Sequence, residues 1–225
     1  MLRIIFITNS IGFGGAEKML TFVANSLSER GHICAIVNLG AVPEYVNVYK
    51  QNIDEHIDVF NVKDKVQQKK RKAEIKAVAQ YAKEFHADVL IGFTNFPNMY
   101  ATIVGKMLKI PSIMSERGDP AITLPNTFKD RILKRIIDSA SGGVFQTNGA
   151  KAYYGKRLQK RGRVIPNPIF IKGTVPNVPY EEHEKTGVSV GRLDNKQKRF
   201  DVMLQAFSVF SKKHPEYTLK IYGSG

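Results

Sequence analysis

The chain has 225 residues, enough for one or two domains with a sizeable α/β core. Lys and Arg number 34 against 20 Asp and Glu, and the formal net charge of +14 indicates acidic partners such as nucleic acid, an anionic membrane or phosphorylated ligands. The single cysteine, Cys34, excludes a disulfide framework and a thiolate metal cluster, and it is typical of a protein in a reducing cytoplasm.

The first predicted element is a strand from Arg3 to Thr8. Its apolar run is near-continuous, as in strands buried on both faces of a parallel sheet, and it is too short for a signal peptide. No run of about 20 apolar residues occurs elsewhere, so we expect no membrane span.

A glycine loop containing Gly14 and Gly15 follows, and then an amphipathic helix that begins at Ala16 and ends near Gly31. Glycines here either let a backbone approach a phosphate or sugar, or form a tight turn that packs the helix against the strand. A dinucleotide site is disfavoured, because the G-x-G-x-x-G fingerprint needs glycine where Glu17 stands.

The middle of the chain continues as alternating strands and helices, the pattern of an α/β fold. The strand predicted at 34–39 has no acidic residue placed for a ribose, which also argues against NAD. Further strands are predicted at 57–62, 89–93, 112–115 and 143–147, and helices around 75–82, 99–108 and 128–140.

Two polar loops follow strands in this part of the chain. Asn95 follows the strand at 89–93, and Glu116, Arg117 and Asp119 follow the strand at 112–115. Because open α/β sheets bind ligands beyond the carboxyl ends of their strands, we expect both loops at a ligand-binding edge. The alternative for Glu116 is a surface ion pair with Arg117.

Three segments are rich in Lys and Arg. The cluster at 69–72 is either a solvated helix face or a contact with anionic lipid, and the helix at 128–140 either covers the sheet or lies on a membrane. The segment 151–163 includes Tyr153 and Tyr154, but its cations are not interleaved with an aromatic platform. That pattern argues against nucleic acid as a partner.

The last part of the chain repeats the strand, loop and helix pattern, with strands predicted at 188–190 and 218–222. Arg192 and Lys198 lie in the loop before the helix. Phosphates bind at such a position, where Arg supplies a two-pronged donor and Lys a mobile charge. The alternative is a pair of solvated cations on a turn.

These motifs together resemble the family 4 retaining glycosyltransferases, which are GT-B enzymes that use nucleotide sugars. The resemblance rests on V-G-R-L-D followed by K-x-F-D and K-H-P-x-x-x-L-x-I-Y-G-x-G near the end of the chain, and on G-G-A-E at 14–17. S-E-R-G-D-P at 115–120 resembles the S-E-R-N-D-P of a branch that builds bacterial surface and capsular polysaccharides, with Gly118 in place of Asn.

The resemblance implies an α/β fold of GT-B type. It implies a complete N-terminal Rossmann-like domain at 1–168, a linker at 169–185 and the first β-α-β part of a second Rossmann-like domain at 186–225. V-I-P-N-P-I at 164–169 resembles the crossing point between the two domains.

The resemblance also implies a function. The chain would transfer a sugar with retention from a nucleotide-diphosphate sugar to a glycan or lipid-linked acceptor, without a metal or other cofactor, at the cytoplasmic face of the membrane. Gly14, Gly15, Arg192 and Lys198 would hold the donor diphosphate. Asn95, Glu116, Arg117 and Asp119 would face the acceptor.

One departure from the family pattern opens an alternative. The acidic E-x-x-x-x-x-x-x-E segment that grips the donor in that family is absent, so the catalytic residues are not assigned. The alternative is a truncated, inactive remnant or a binding module. We expect 225 residues alone to show no transfer, and the residues after 185 to be labile because their strands and helix cover little apolar surface.

Overall fold

The structure is a computed structural model that describes residues 1–12, 14–40, 52–66, 70–169, 178–195 and 198–223. The chain divides into two compact units, Met1–Pro168 and Ile169–Gly225. Three parts of the sequence predictions lie outside the described residues. They are Lys69 of the basic cluster, residues 170–177 of the linker, and the closing pair Ser224 and Gly225.

The first unit is built on parallel strands. These are Arg3–Thr8 (β1), Ile33–Asn38 (β2), Asp58–Asn61 (β3), Val89–Phe93 (β4), Ser112–Ser115 (β5), Gly142–Phe145 (β6) and Gly162–Val164 (β7). They form one seven-stranded sheet in the order β3-β2-β1-β4-β5-β6-β7. The predicted α/β class with a parallel sheet is confirmed.

Helices alternate with these strands. They are Gly15–Glu29 (α1), Val62–Lys65 (α2), Arg71–Glu84 (α3), Asn95–Leu108 (α4), Pro120–Thr123 (α5), Phe128–Ile137 (α6), Asn148–Tyr153 (α7) and Lys156–Arg161 (α8).

The sheet separates two apolar cores because neighbouring residues of a strand point to opposite faces. In β1, Ile5 and Ile7 belong to one core and Ile4 and Phe6 to the other. Cys34 is 2% exposed in the second core, and burial, aided by the charge of Asp54, raises the pKa of its thiol to about 11. This thiol is therefore a core group.

One prediction of local structure needs correction. Residues 95–98 were expected to form a turn before a helix at Met99, but α4 begins at Asn95, directly after β4. Pro97 lies in the first turn of that helix, where its missing N–H is not needed. The cationic segment 151–163 contains α8 and β7, and Leu158 buries fully beneath its cations.

The second unit contains a 3₁₀ turn at Tyr180–Glu182, two parallel strands, Thr186–Val190 (β8) and Thr218–Tyr222 (β9), and the helix Phe200–Ser211 (α9). Large apolar side chains stay exposed on it, including Val190 at 77% and Val209 at 64%. Among the described residues of this unit, Phe200 is the one buried hydrophobic side chain. The unit therefore has little core of its own.

We expect limited proteolysis to digest the two units at different rates. Local opening requires less free energy where few apolar side chains are buried, so cleavage within Ile169–Gly225 should be about tenfold faster or more. Mass spectrometry of a trypsin time course should show a persistent fragment ending near Pro168. Equal resistance of the two units would contradict this expectation.

Candidate functional site

The sheet order reverses between β1 and β4, at the centre of the sheet. In open α/β sheets, ligands bind outside the carboxyl ends of the strands at this reversal. The loops after β1 and β4 meet there, since the Asn9 amide donates to Thr94 Oγ1 at 3.3 Å. The next strand along, β5, ends level with β4, because Phe93 pairs with Ser115.

Gly14 and Gly15 begin α1, and the space around them differs. A Cβ on Gly14 would lie 2.1 Å from Oε2 of Glu17, whereas a Cβ on Gly15 would meet nothing within 4 Å. The Glu17 carboxylate also accepts a hydrogen bond from the Ser10 hydroxyl at 2.8 Å. Gly14 thus makes room for a carboxylate of the protein itself, and Gly15 leaves open space at the loop.

Asn98 joins the ends of β4 and β5, and the sequence analysis missed it. It is fully buried, its Nδ2 donates to the carbonyl of Ser115 at 3.2 Å, and its Oδ1 accepts from the Ser115 N–H at 2.9 Å. Gly92 is needed beneath it, because a Cβ there would lie 2.5 Å from the Asn98 Cα. The one available signal was a polar residue within an apolar helix.

Thr94 and Asn95 form the turn into α4. Thr94 has a φ of +73°, a region that non-glycine residues rarely adopt and that clusters at functional sites. The Asn95 Nδ2 donates to the carbonyl of Thr123 at 3.2 Å. Its Oδ1 is buried without a partner in the part of the chain that the structure describes.

Glu116 is buried at 2% exposure and is bonded by its own loop. Its Oε1 accepts from the backbone N–H groups of Arg117 and Gly118, both at 3.0 Å, and its Oε2 accepts from the Tyr154 hydroxyl. Burial raises the pKa of Glu116, although these hydrogen bonds oppose the rise. The carboxyl therefore holds the loop in shape.

Arg117 does not form the surface ion pair with Glu116 that the sequence left open. Its guanidinium lies 4.7 Å from the Phe93 ring centroid, and its Nη1 donates to Asn167 Oδ1 at 2.8 Å. Burial lowers the pKa of Arg117, while the charge of Glu116 opposes the shift. Its Nε is buried with no partner among the described residues.

The loop ends at Asp119, which is exposed and caps α5 by accepting from the Ala121 N–H at 2.9 Å. Three buried polar atoms at the β4 and β5 ends lack a partner among the described residues: Asn95 Oδ1, Ser115 Oγ and Arg117 Nε. Buried polar atoms are normally hydrogen-bonded. This edge therefore has the capacity to bind a polar group such as a sugar hydroxyl.

Arg192 and Lys198 lie in the loop between β8 and α9, and both are exposed. The Lys198 N–H donates to the carbonyl of Asp194 at 2.7 Å, which closes the loop. A Cβ on Gly191 would lie 3.9 Å from the Lys198 side chain, so the side chain passes close to the end of β8. The structure brings both cations into one loop ahead of a helix N-terminus.

The described residues hold no group of three or more His, Cys, Asp or Glu that is arranged for a metal ion. In the same part of the chain, no helix has both the length and the apolar character needed to cross a bilayer.

Two curated relatives align with nearly the whole chain. A Campylobacter jejuni relative is 27% identical over 229 residues, covering 100% of this chain, and is named GalNAc-α-(1→4)-GalNAc-α-(1→3)-diNAcBac-PP-undecaprenol α-1,4-N-acetyl-D-galactosaminyltransferase. A Haemophilus influenzae relative is 24% identical over 232 residues, covering 98% of this chain, and is named an uncharacterized glycosyltransferase. The sequence relatives are bacterial glycosyltransferases. No family model matches the chain.

Solved structures share the fold. Anabaena HepE, in complex with UDP and glucose, superposes with a TM-score of 0.75 at 16% identity, covering 100% of this chain and 62% of HepE. A Listeria monocytogenes protein described as a putative UDP-N-acetylglucosamine 2-epimerase gives 0.62 at 12% identity, covering 98% and 62%. The α/β fold with its seven-stranded parallel sheet matches the Rossmann-like domain of GT-B glycosyltransferases.

The fold alone does not separate transferases from epimerases, whereas the two sequence relatives are both named glycosyltransferases. The chain spans 62% and 61% of the lengths of these two relatives.

Replacing the buried carboxyl, Glu116→Gln, should change how stability depends on pH. Because burial raises the pKa of Glu116 above its ordinary 4.5, the folded state keeps this proton to a higher pH than the unfolded state does. The stability that the proton contributes is complete below about pH 4.5 and is lost as the pH rises through the folded-state pKa. The free energy of unfolding of the wild type, measured in urea relative to Glu116→Gln, should fall as the pH rises above about 4.5.

Tyr154→Phe provides the matched comparison for this experiment. The Tyr154 hydroxyl donates to the carboxylate and favours its charged form, so its removal raises the pKa of Glu116 further. The fall in stability with pH, measured in Tyr154→Phe against the double variant with Glu116→Gln, should be larger and extend to higher pH than in the wild type. A relative stability that rises with pH would show that the carboxylate is favoured in the folded state.

Proposed function

We propose that the chain is a retaining glycosyltransferase that moves a sugar from a nucleotide-diphosphate sugar to a glycan or lipid-linked acceptor in bacterial surface polysaccharide synthesis. The observation that carries the proposal is the loop with Arg192 and Lys198 between β8 and α9. The named activity of the Campylobacter relative and the UDP and glucose bound to HepE support it.

The donor diphosphate binds at the β8–α9 loop in this proposal. Arg192 and Lys198 bring two positive charges to the N-terminal end of a 12-residue helix, where the helix dipole also favours anions. They neutralise the negative charge that develops on the departing diphosphate, so that the reaction requires no metal ion. In the first unit, Gly15 has open space around it that would allow a phosphate to approach the backbone, whereas Gly14 makes room for Glu17.

The acceptor binds at the ends of β4 and β5. Asn95 Oδ1 is a buried acceptor and Arg117 Nε a buried donor, and neither has a hydrogen-bond partner among the described residues. The exposed carboxylate of Asp119 lies in the same loop as Arg117. Glu116 acts as a positioning residue, because its carboxyl oxygens are bonded to backbone N–H groups of the loop and to Tyr154.

Arg192→Ala tests the donor assignment. Loss of one charge-assisted contact should weaken UDP binding about tenfold, and in a longer version with a complete second domain the loss of a donor that acts in the transition state should lower sugar transfer by about 10² to 10³. Isothermal titration with UDP and a radiolabelled transfer assay measure the two effects. Lys212→Ala, which removes a cation beyond the other end of α9, is the control and should leave both unchanged.

A decrease in transfer of less than about threefold in Arg192→Ala would contradict the assignment of Arg192 to the donor diphosphate. UDP binding without transfer to any acceptor, in a longer version with a complete second domain, would favour the alternative of an inactive binding module.

The chain also carries a surface suited to the cytoplasmic face of the membrane, and we propose that it is a peripheral membrane protein there. The helix α6 buries Leu133 and Ile137 against the core, as a sheet-covering helix does. Its outward face exposes two large apolar side chains, Phe128 at 71% and Ile132 at 48%. The cations Lys129, Arg131 and Arg135 are exposed on the same helix. Apolar and cationic groups side by side are typical of helices that lie in the lipid headgroup region.

The double substitution Phe128→Ser with Ile132→Ser should weaken binding to anionic vesicles. Each substitution removes about 1 kcal/mol or more of favourable transfer free energy, so the partition coefficient between vesicle and water should fall at least tenfold. Sedimentation with phosphatidylserine vesicles measures it, and Met107→Ser, which removes a different exposed apolar side chain, is the control. Equal sedimentation of the wild type with neutral and anionic vesicles, or no weakening by salt, would remove the membrane role.

A further inference from the structure

A cavity of about 560 Å³ lies beside the ends of β1 and β2 in the first unit. Its size is within the range of small-molecule sites. It is lined by residues from three helices and two loops, among them Asn9, Lys63, Arg71, Glu74, Phe96 and Tyr100. No residue of the Glu116 loop is among the described residues that line it, so it is a separate part of the same sheet edge.

The carboxylate of Glu74 organises this cavity. Glu74 is 7% exposed, and the Lys63 ammonium and the Tyr100 hydroxyl donate to its two oxygens. Burial acts to raise the pKa of Glu74, but these two hydrogen bonds and the charges of Lys63 and Arg71 outweigh it, and the pKa is lowered. Glu74 therefore stays charged, and both of its oxygens are bonded within the protein.

Among the described residues that line it, the cavity has one positive charge in excess. Lys63 and Arg71 contribute two cations and Glu74 one anion. The Arg71 guanidinium lies 5.0 Å from the Phe96 ring centroid, a cation–π contact that holds it at the cavity wall. One of the three N–H groups of the Lys63 ammonium donates to Glu74. The other N–H donors of Lys63 and Arg71 are thus available to a ligand, because the Glu74 carboxylate is already hydrogen-bonded within the protein.

Resting on the glycosyltransferase function proposed above, we infer that this cavity binds an acidic sugar of the acceptor, a pyranose ring that carries one carboxylate or phosphate group. Lys63 and Arg71 bind the anionic group, which balances the excess charge. The Asn9 amide supplies hydrogen bonds for ring hydroxyls, and the Leu39 side chain covers an apolar part of the ring. A neutral sugar leaves the cations of the cavity unbalanced.

The test compares three sugars with the chain as it is. Methyl glucuronide, glucose 6-phosphate and methyl glucoside are titrated separately, and dissociation constants are measured by saturation-transfer NMR. At least one of the two acidic sugars should bind about tenfold more tightly than methyl glucoside, because a hydrogen bond to a charged group adds this much. Which of the two binds identifies the anionic group as carboxylate or phosphate.

The matched variants are Arg71→Gln and Lys76→Gln. Both remove one exposed cation from α3, but only Arg71 lines the cavity among the described residues. Arg71→Gln should remove most of the tenfold preference, and Lys76→Gln should keep it. Equal binding of acidic and neutral sugars by the wild type, or equal losses in the two variants, would overturn the inference.

UDP titration of the same samples separates this inference from the donor proposal. Retained UDP binding without preference for an acidic sugar refutes the acidic-sugar site alone. A preference that depends on Arg71 in a chain that does not bind UDP supports this site and refutes the donor assignment at Arg192.

Discussion

Parallel pairing of the strands is the constraint on which the first unit depends. Because the strands of the seven-stranded sheet pair in parallel, the ends of β1, β2, β4 and β5 lie at one edge. Residues that are up to about a hundred positions apart in the chain, such as Asn9 and Arg117, come to the same edge for this reason. The candidate acceptor loop and the charged cavity are two regions of that single edge.

Buried polar groups hold these loops in place. Glu116, Glu74 and Asn98 are each nearly or fully buried, and each is bonded to groups from distant parts of the sequence. Burial of a carboxylate is unfavourable unless donors surround it, so its presence fixes the position of those donors. A tyrosine hydroxyl and one or more N–H groups donate to each of the two carboxylates, Glu74 and Glu116. These hydrogen bonds order the surface side chains of each region.

The positions of several strands could be predicted accurately from the sequence. The bounds of β1, β4, β5 and β9 follow from short apolar runs flanked by loop residues, and the structure has them at the predicted residues. The start of α4 was missed because Asn95 to Asn98 contains Pro and two Asn, which are typical of turns as well as of first helical turns. The cavity was missed because Glu74 lies among lysines in the sequence, and only the packing of α3 against α4 pairs it with Tyr100.

Phe93 has two neighbours that belong to different parts of the protein. Its ring packs against Phe6 in the apolar core, with centroids 6.2 Å apart, and the Arg117 guanidinium lies over the same ring. A change of side-chain volume beneath the sheet therefore shifts the surface on which Arg117, a candidate acceptor-binding residue, rests. Homologous chains that differ only in this core layer can diverge in ligand preference while every residue that touches the ligand stays the same.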